Sequence, residues 1–305
     1  MSFTPPESPA RGTETLRTQP GTPVPFSILS VARDLVTVPG TPTSVDGLPR
    51  ISVRRDHSRQ VQPYILANCD PDPIGAPFVS DPGYPFYPFA WAVPVGCDFT
   101  HPNFERLNQI AEEDVVAATA HAVSQQLWTG ISNAGQSTDS PSLPTAALVL
   151  GGTAASPLTL VEGLASLAEW WNYYTRAGGG AILHVPNALL PALMAQTLVT
   201  VNGAQMIGPA GELVSRGPGY TFDEGPANTT TSANESWIYI SGPIDLRLGT
   251  PLDPANPESI GGQLTGTTNP RLNENSVIRS RRALFTFDTQ TVLAIRVECP
   301  TILGD

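Results

Sequence analysis

The spacing of apolar and polar positions changes several times along the chain, and each change predicts a different kind of element. From Asn103 to Trp128, apolar residues recur at steps of three and four: Phe104, Leu107, Ala111, Val115, Ala118 and Ala122. Glu105, Arg106, Asn108, Glu112, Glu113 and His121 fall largely off that stripe. This is one face of a long amphipathic helix, a rod of about 39 Å at about 1.5 Å per residue, with Gly130 as its stop. A second helical stripe, Leu160, Leu164, Leu167, Trp171 and Tyr174, follows Ser156-Pro157, a pair suited to a helix start, and Gly178-Gly-Gly ends it. Asn187 to about Val199 predicts a third helix, confined or bent by Pro191.

Elsewhere the period is two or the runs are short and apolar. Ala90-Trp-Ala-Val-Pro-Val reads as a strand with edge character because of Pro94. Ala146-Ala-Leu-Val-Leu and Ala181-Ile-Leu-His-Val read as short strands, the latter stopped by Pro186. Gln205-Met-Ile and Glu212-Leu-Val-Ser-Arg form a hairpin around Gly208-Pro-Ala-Gly. Trp237-Ile-Tyr-Ile-Ser and Ile244-Asp-Leu-Arg-Leu are strands, and Ser276 to Phe287 with Gln290 to Cys299 predict a closing hairpin around Asp288 and Thr289. Helices and strands are mixed without a regular alternation, so the fold class is α+β.

Composition changes the picture of the two ends. Prolines and glycines, 32 and 27 of 305 residues, crowd residues 1–100 and 249–275, which read as extended arm and loop. Only Phe26-Ser-Ile-Leu-Ser-Val and Leu35-Val-Thr-Val interrupt the first sixty residues with apolar runs. Charge is divided along the chain: residues 1–60 carry seven arginines against five acids, and residues 61–305 nine arginines against twenty-two acids. Phosphate is repelled by a body of that sign, so tight wrapping of nucleic acid is excluded. Arg50, Arg54, Arg55 and Arg59 are the basic cluster; non-specific contact with nucleic acid is open to them, and the simpler reading is pairing with the acidic body of a neighbouring subunit.

All sixteen basic residues other than histidine are arginines. A P-loop and a pyridoxal Schiff base both require lysine and are excluded. Cys69, Cys97 and Cys299 show neither a disulfide framework nor zinc spacing. His57, His101, His121 and His184 form no helical metal pair, and His184 in an apolar strand reads as a hydrogen-bonded core or interface histidine. No GxSxG elbow is present. Asp70-Pro-Asp72 reads as a rigid turn, Glu112, Glu113 and Asp114 as a solvated helix face, and Asn228 and Asn234 as polar turn residues. No cofactor or metal is called for. No apolar run reaches membrane-spanning length and the N-terminus lacks a signal-peptide core, which predicts synthesis in the cytoplasm. In Trp170-Trp171-Asn-Tyr-Tyr, Trp171 and Tyr174 continue the leucine stripe, while Trp170 and Tyr173 point elsewhere and suit a subunit contact.

The order of these motifs resembles the head proteins of actinobacterial tailed phages. The resemblance rests on Tyr87-Pro-Phe-Ala-Trp-Ala-Val-Pro-Val-Gly-Cys, on Gln125-Gln-Leu-Trp-Thr-Gly closing a long acidic helix, and on Leu164-Ala-Ser-Leu-Ala-Glu-Trp with Gly179-Gly-Ala-Ile-Leu-His-Val-Pro. It continues through Ile207-Gly-Pro-Ala-Gly-Glu-Leu-Val-Ser-Arg-Gly-Pro-Gly-Tyr to Ser280-Arg-Arg-Ala-Leu-Phe-Thr-Phe-Asp and Ala294-Ile-Arg-Val-Glu-Cys, covering about residues 60–300. It implies the Hong Kong 97 type capsid fold: an N-terminal arm (1–60), an extended loop and return strand (61–100), a peripheral domain with a spine helix (101–145), an axial domain (146–250), and a loop with C-terminal strands of the peripheral domain (251–305). It also implies a virion protein, non-enzymatic, that assembles with itself into hexamers and pentamers around double-stranded DNA, with separate scaffold, portal or decoration proteins as further partners and no membrane. Some members weld subunits through a lysine; this chain has none, so its shell is expected to hold by noncovalent contact. An encapsulin-type compartment or a minor virion protein is the alternative within this class. A soluble hydrolase using Glu112, Glu113 or Asp114 is the alternative outside it.

Overall fold

A computed structural model describes residues 24–34, 51–53, 84–95, 104–130, 140–151, 156–175, 180–221, 225–226, 229, 234–249, 251 and 277–299. Period-two strands with both faces apolar build its centre. In β6 (Ile182–Pro186), Leu183 and Val185 face one way and Ile182 and His184 the other, and every residue is buried. In β10 (Glu235–Ser241), Ile238 and Ile240 alternate with Trp237 and Tyr239 in the same manner. These two strands pair antiparallel, and β10 pairs on its other side with β13 (Leu293–Glu298). With β5 (Leu148–Val149), β7 (Thr200–Asn202), β8 (Gln205–Ile207) and β9 (Leu213–Gly217), they form a mixed seven-stranded sheet in the order β5-β13-β10-β6-β9-β8-β7.

One face of that sheet is covered by α5 (Leu160–Thr175) and α6 (Leu190–Ala195). Leu160, Leu164, Leu167 and Trp171 pack with Leu189, Leu190 and Leu193 onto Leu183, Val185, Ile238, Ile240, Leu293, Ile295 and Val297. The opposite face meets the other regular elements. These are the short α4 (Leu143–Ala146), the rod of α2 (Phe104–Ala117) and α3 (Thr119–Thr129), and a second, four-stranded sheet. That sheet has the order β1-β11-β12-β4, from β1 (Arg33–Asp34), β11 (Asp245–Leu248), β12 (Val277–Thr286) and β4 (Phe89–Val95). A two-stranded ribbon of β2 (Ile51–Val53) and β3 (Tyr84–Phe86) stands beside it. Phe86 makes edge contacts with Phe285 and Phe287, and Phe89 with Phe285, joining ribbon and sheet through an aromatic cluster.

The long helix forms as its stripe predicts: Ala111, Val115 and Ala122 are buried, and Gly130, left-handed at φ 69°, donates its amide to Gln126 O and ends the rod. A local break at Ala118 divides it. There the Val115 carbonyl accepts the Trp91 indole N–H at 3.0 Å and the Thr119 hydroxyl at 3.3 Å, and side-chain donors that take over a helix carbonyl interrupt the ladder.

Several expectations are corrected. β12 and β13 do not form a hairpin but lie in different sheets. The Asp288 side chain accepts the Gln290 amide and starts a single 3-10 turn at Thr289–Thr291, which sends the chain across the core. The second helix begins at Leu160, not at Ser156-Pro157, because Thr159 and Glu162 form a reciprocal cap: Thr159 hydroxyl to Glu162 Oε2 at 2.8 Å, and Glu162 amide to Thr159 Oγ1 at 3.3 Å. Leu158 is held instead in a bridge to Val297. The third helix shrinks to Leu190–Ala195, since Pro191 sits in its first turn and Thr197 turns left-handed at φ 56°. Within the predicted arm, α1 (Ile28–Val31) and β1 belong to the chain's own body: Ile28 is fully buried, and β1 pairs parallel with β11. Leu35-Val-Thr-Val, Gly178-Gly, Asp70-Pro-Asp72 and the 252–275 loop fall outside the described residues.

Candidate interaction surface and buried polar core

Two features stand out among the described residues, one on the surface and one inside. The surface feature is α5. Its inner stripe is spent on the sheet, and Gly163 lets it approach closely: a Cβ there would lie 2.5 Å from Val297 Cγ1. The outer face nevertheless carries Val161 at 52% exposure, Trp170 at 41% and Tyr173 at 62%. Trp170 and Tyr173, one turn apart, hold an edge-to-face arrangement with centroids 5.7 Å apart and planes at 80°. Glu162 and Glu169 share this exposed side, and α5 contains no basic residue. Exposing large aromatic surface to water is unfavourable, so such a face suits a partner with both apolar and cationic groups. Arg50, Arg54, Arg55 and Arg59 lie outside the described residues; Trp170 and Tyr173 are brought together.

The inner feature is a chain of hydrogen bonds through His184, which is fully buried. Ser241 Oγ donates to Gly242 O at 2.9 Å, so it receives His184 Nε2–H at 2.8 Å. His184 Nδ1 then accepts the Tyr220 hydroxyl at 2.9 Å, and the Tyr220 oxygen accepts from Ser215 at 3.1 Å. Every group in the series has a consistent direction with a neutral imidazole. Burial accordingly lowers the His184 pKa to about 3, while burial raises that of Tyr220 against a smaller lowering by the Ser215 hydrogen bond. Tyr220 stacks on Trp128 of α3 with centroids 4.5 Å apart, and Trp128 meets Tyr239 edge-on at 4.7 Å. The series thus ties β6, β9 and β10 to the long helix. His184, Ser215 and Ser241 are all fully buried, and the role that this geometry supports is architectural.

Glu112 is exposed, and Glu113 accepts Gln109 Nε2 at 3.2 Å on the helix surface. Burial and the charge of Glu235 push the Cys299 thiol up to about 11, which makes it a poor nucleophile; Cys69 and Cys97 lie outside the described residues. Among the described residues no cluster of His, Cys, Asp and Glu could hold a metal ion, and no helix is long and apolar enough to cross a membrane. The sequence placed His184 in a core strand but gave no sign of its partners, which lie 36 and 57 positions away.

No family model matches the chain, and no curated protein matches it. Among solved structures it is similar to a chain of Gordonia phage Cozz, at 12% identity over 90% of this chain and 86% of that one, with a TM-score of 0.46. It is similar to a chain of the capsid of an empty GTA particle, at 12% identity over 92% and 99%, with a TM-score of 0.48. A third is the capsid of Ralstonia phage GP4, at 11% identity over the whole of both chains, with a TM-score of 0.45. These three are structures from a phage, a GTA particle and a second phage, the latter two of capsids.

Proposed function

We propose that this chain is a shell protein of a tailed-phage head, of the Hong Kong 97 type, which works by self-association and not by catalysis. The observation that carries the reading is α5: a helix that fully satisfies a core on one side and still presents Val161, Trp170 and Tyr173 to water on the other. An acidic body with no lysine and an arginine-bearing leading segment supports it, as does the order of motifs from Tyr87 to Cys299. In this reading the seven-stranded sheet with α5 and α6 is the axial domain, which takes in β13 (Leu293–Glu298) in addition to the expected residues 146–250. The α2–α3 rod with the four-stranded sheet is the peripheral domain, the ribbon of β2 and β3 is the base of the extended loop, and the residues before Val24 are the arm.

Subunits meet in hexamers and pentamers, and the closed shell sums many modest interfaces into a stable container that holds double-stranded DNA within the virion. Assembly takes place in the host cytoplasm, with scaffold, portal or decoration proteins as further partners. The acidic body keeps packaged DNA from adhering to the wall. Electron micrographs of the purified protein test this: closed icosahedral particles are expected. A field of isolated small particles at high protein concentration overturns the reading, and shells that hold a protein cargo and no DNA redirect it to an encapsulin-type compartment.

A further inference from the structure

We propose that the outer face of α5 is the seat for an arginine-bearing segment of a second copy of this chain, the stretch holding Arg50, Arg54, Arg55 and Arg59. This rests on the shell reading given above and names the contact that it leaves open. Three observations carry it. The face combines an edge-to-face Trp170–Tyr173 pair with the exposed carboxylate of Glu169, which lies one turn before Tyr173 on the same side of the helix. A guanidinium satisfies both at once, its plane on an aromatic ring and its N–H groups on a carboxylate. The charges are complementary, since α5 has no basic residue while four of the sixteen arginines fall within ten positions at 50–59.

The third observation is that the segment and the helix are rooted on different sheets. Within one chain, β2 at Ile51–Val53 is bonded to β3, and the ribbon packs toward β12 in the four-stranded sheet. The face of α5 that contacts the body lies on β13 of the seven-stranded sheet. A segment rooted on one sheet that reaches a helix covering the other sheet of a neighbour makes a head-to-tail contact, the kind that closes into rings.

Charge reversal tests it. Glu169→Arg is expected to lower the fraction of protein in shells, read by sedimentation, by about tenfold or more, the change that 1.4 kcal/mol in a contact produces. Combining it with Arg54→Glu and Arg55→Glu is expected to restore assembly. Circular dichroism of the unassembled variants checks that they fold. A photoreactive residue at position 173 of assembled shells is expected to capture a peptide spanning 50–59 from a different subunit. Wild-type assembly by Glu169→Arg, failure of the reversed pair to rescue, or capture of another peptide each overturn this inference and leave the shell reading standing. Absence of shells from the wild-type protein sinks both.

Discussion

Acid should destabilise the unassembled subunit through His184, and the size of the effect follows from its burial. In the fold the imidazole is neutral and its pKa is lowered to about 3 from 6.5. The unfolded chain therefore takes up a proton as pH falls through about 6.5, while the folded chain does not until about 3. The stability that His184 contributes is complete above 6.5 and is lost progressively below it, at about 1.4 kcal/mol per pH unit. Between pH 7.5 and pH 5 the loss is about 2 kcal/mol, and by pH 3 about 4 kcal/mol. The assay is urea denaturation of subunits across this range, beside His184→Gln. The variant starts lower at pH 7.5, by about 1–3 kcal/mol, because Tyr220 and Ser241 lose well-formed partners, yet it lacks the proton uptake. The gap between the two proteins should narrow by about 2 kcal/mol at pH 5. Parallel curves for the two proteins would refute the assignment of a buried, neutral imidazole.

Four further outcomes follow from the packing and composition. Gly219→Ala should cost about 1–3 kcal/mol by overpacking, because its Cβ would stand 2.5 Å from Gln125 N and 2.6 Å from His121 O, both backbone atoms of α3; an unchanged melting temperature would contradict that close approach. Ile28→Ala should destabilise the isolated subunit by about 2–5 kcal/mol, and a neutral result would return residues 28–34 to the arm. Trp171→Ala should unfold subunits more readily, by about 3–5 kcal/mol, whereas Tyr173→Ala should leave subunit stability within about 0.5 kcal/mol and impair assembly; equal effects would contradict the two-faced reading of α5. Boiled, reduced particles should run as one band near 32.3 kDa, since no lysine is present to form a cross-link, and a ladder would contradict it.

Elements whose period reports local burial were legible in the sequence. The α2–α3 rod, the inner stripe of α5, β6 and β10 all follow from which side chains recur on one face, and burial rewards that recurrence directly. Long-range choices were not legible. Nothing near Asp288 says that β12 joins β4 and β11 while β13 joins β10, because the two strands look alike and their partners lie far off in the chain. The pairing of β1 with β11 spans more than two hundred positions. For α5, Ser156-Pro157 and Thr159-x-x-Glu162 both carry a helix-start pattern, and the reciprocal cap prevailed. One local signal was there to be used: Gly203, the first of the two residues that join β7 to β8, stands at φ 60°, a conformation that two-residue hairpin turns reserve for glycine. On the candidate surface, Trp170 and Tyr173 could be placed off the leucine stripe from spacing alone, while their mutual edge-to-face geometry could not.

Sedimentation velocity of the purified protein over a wide concentration range bears most directly on self-association as the function. The subunit is expected to give way, above a threshold concentration, to a single large closed species. A lone species of 32.3 kDa that persists at every concentration would contradict it.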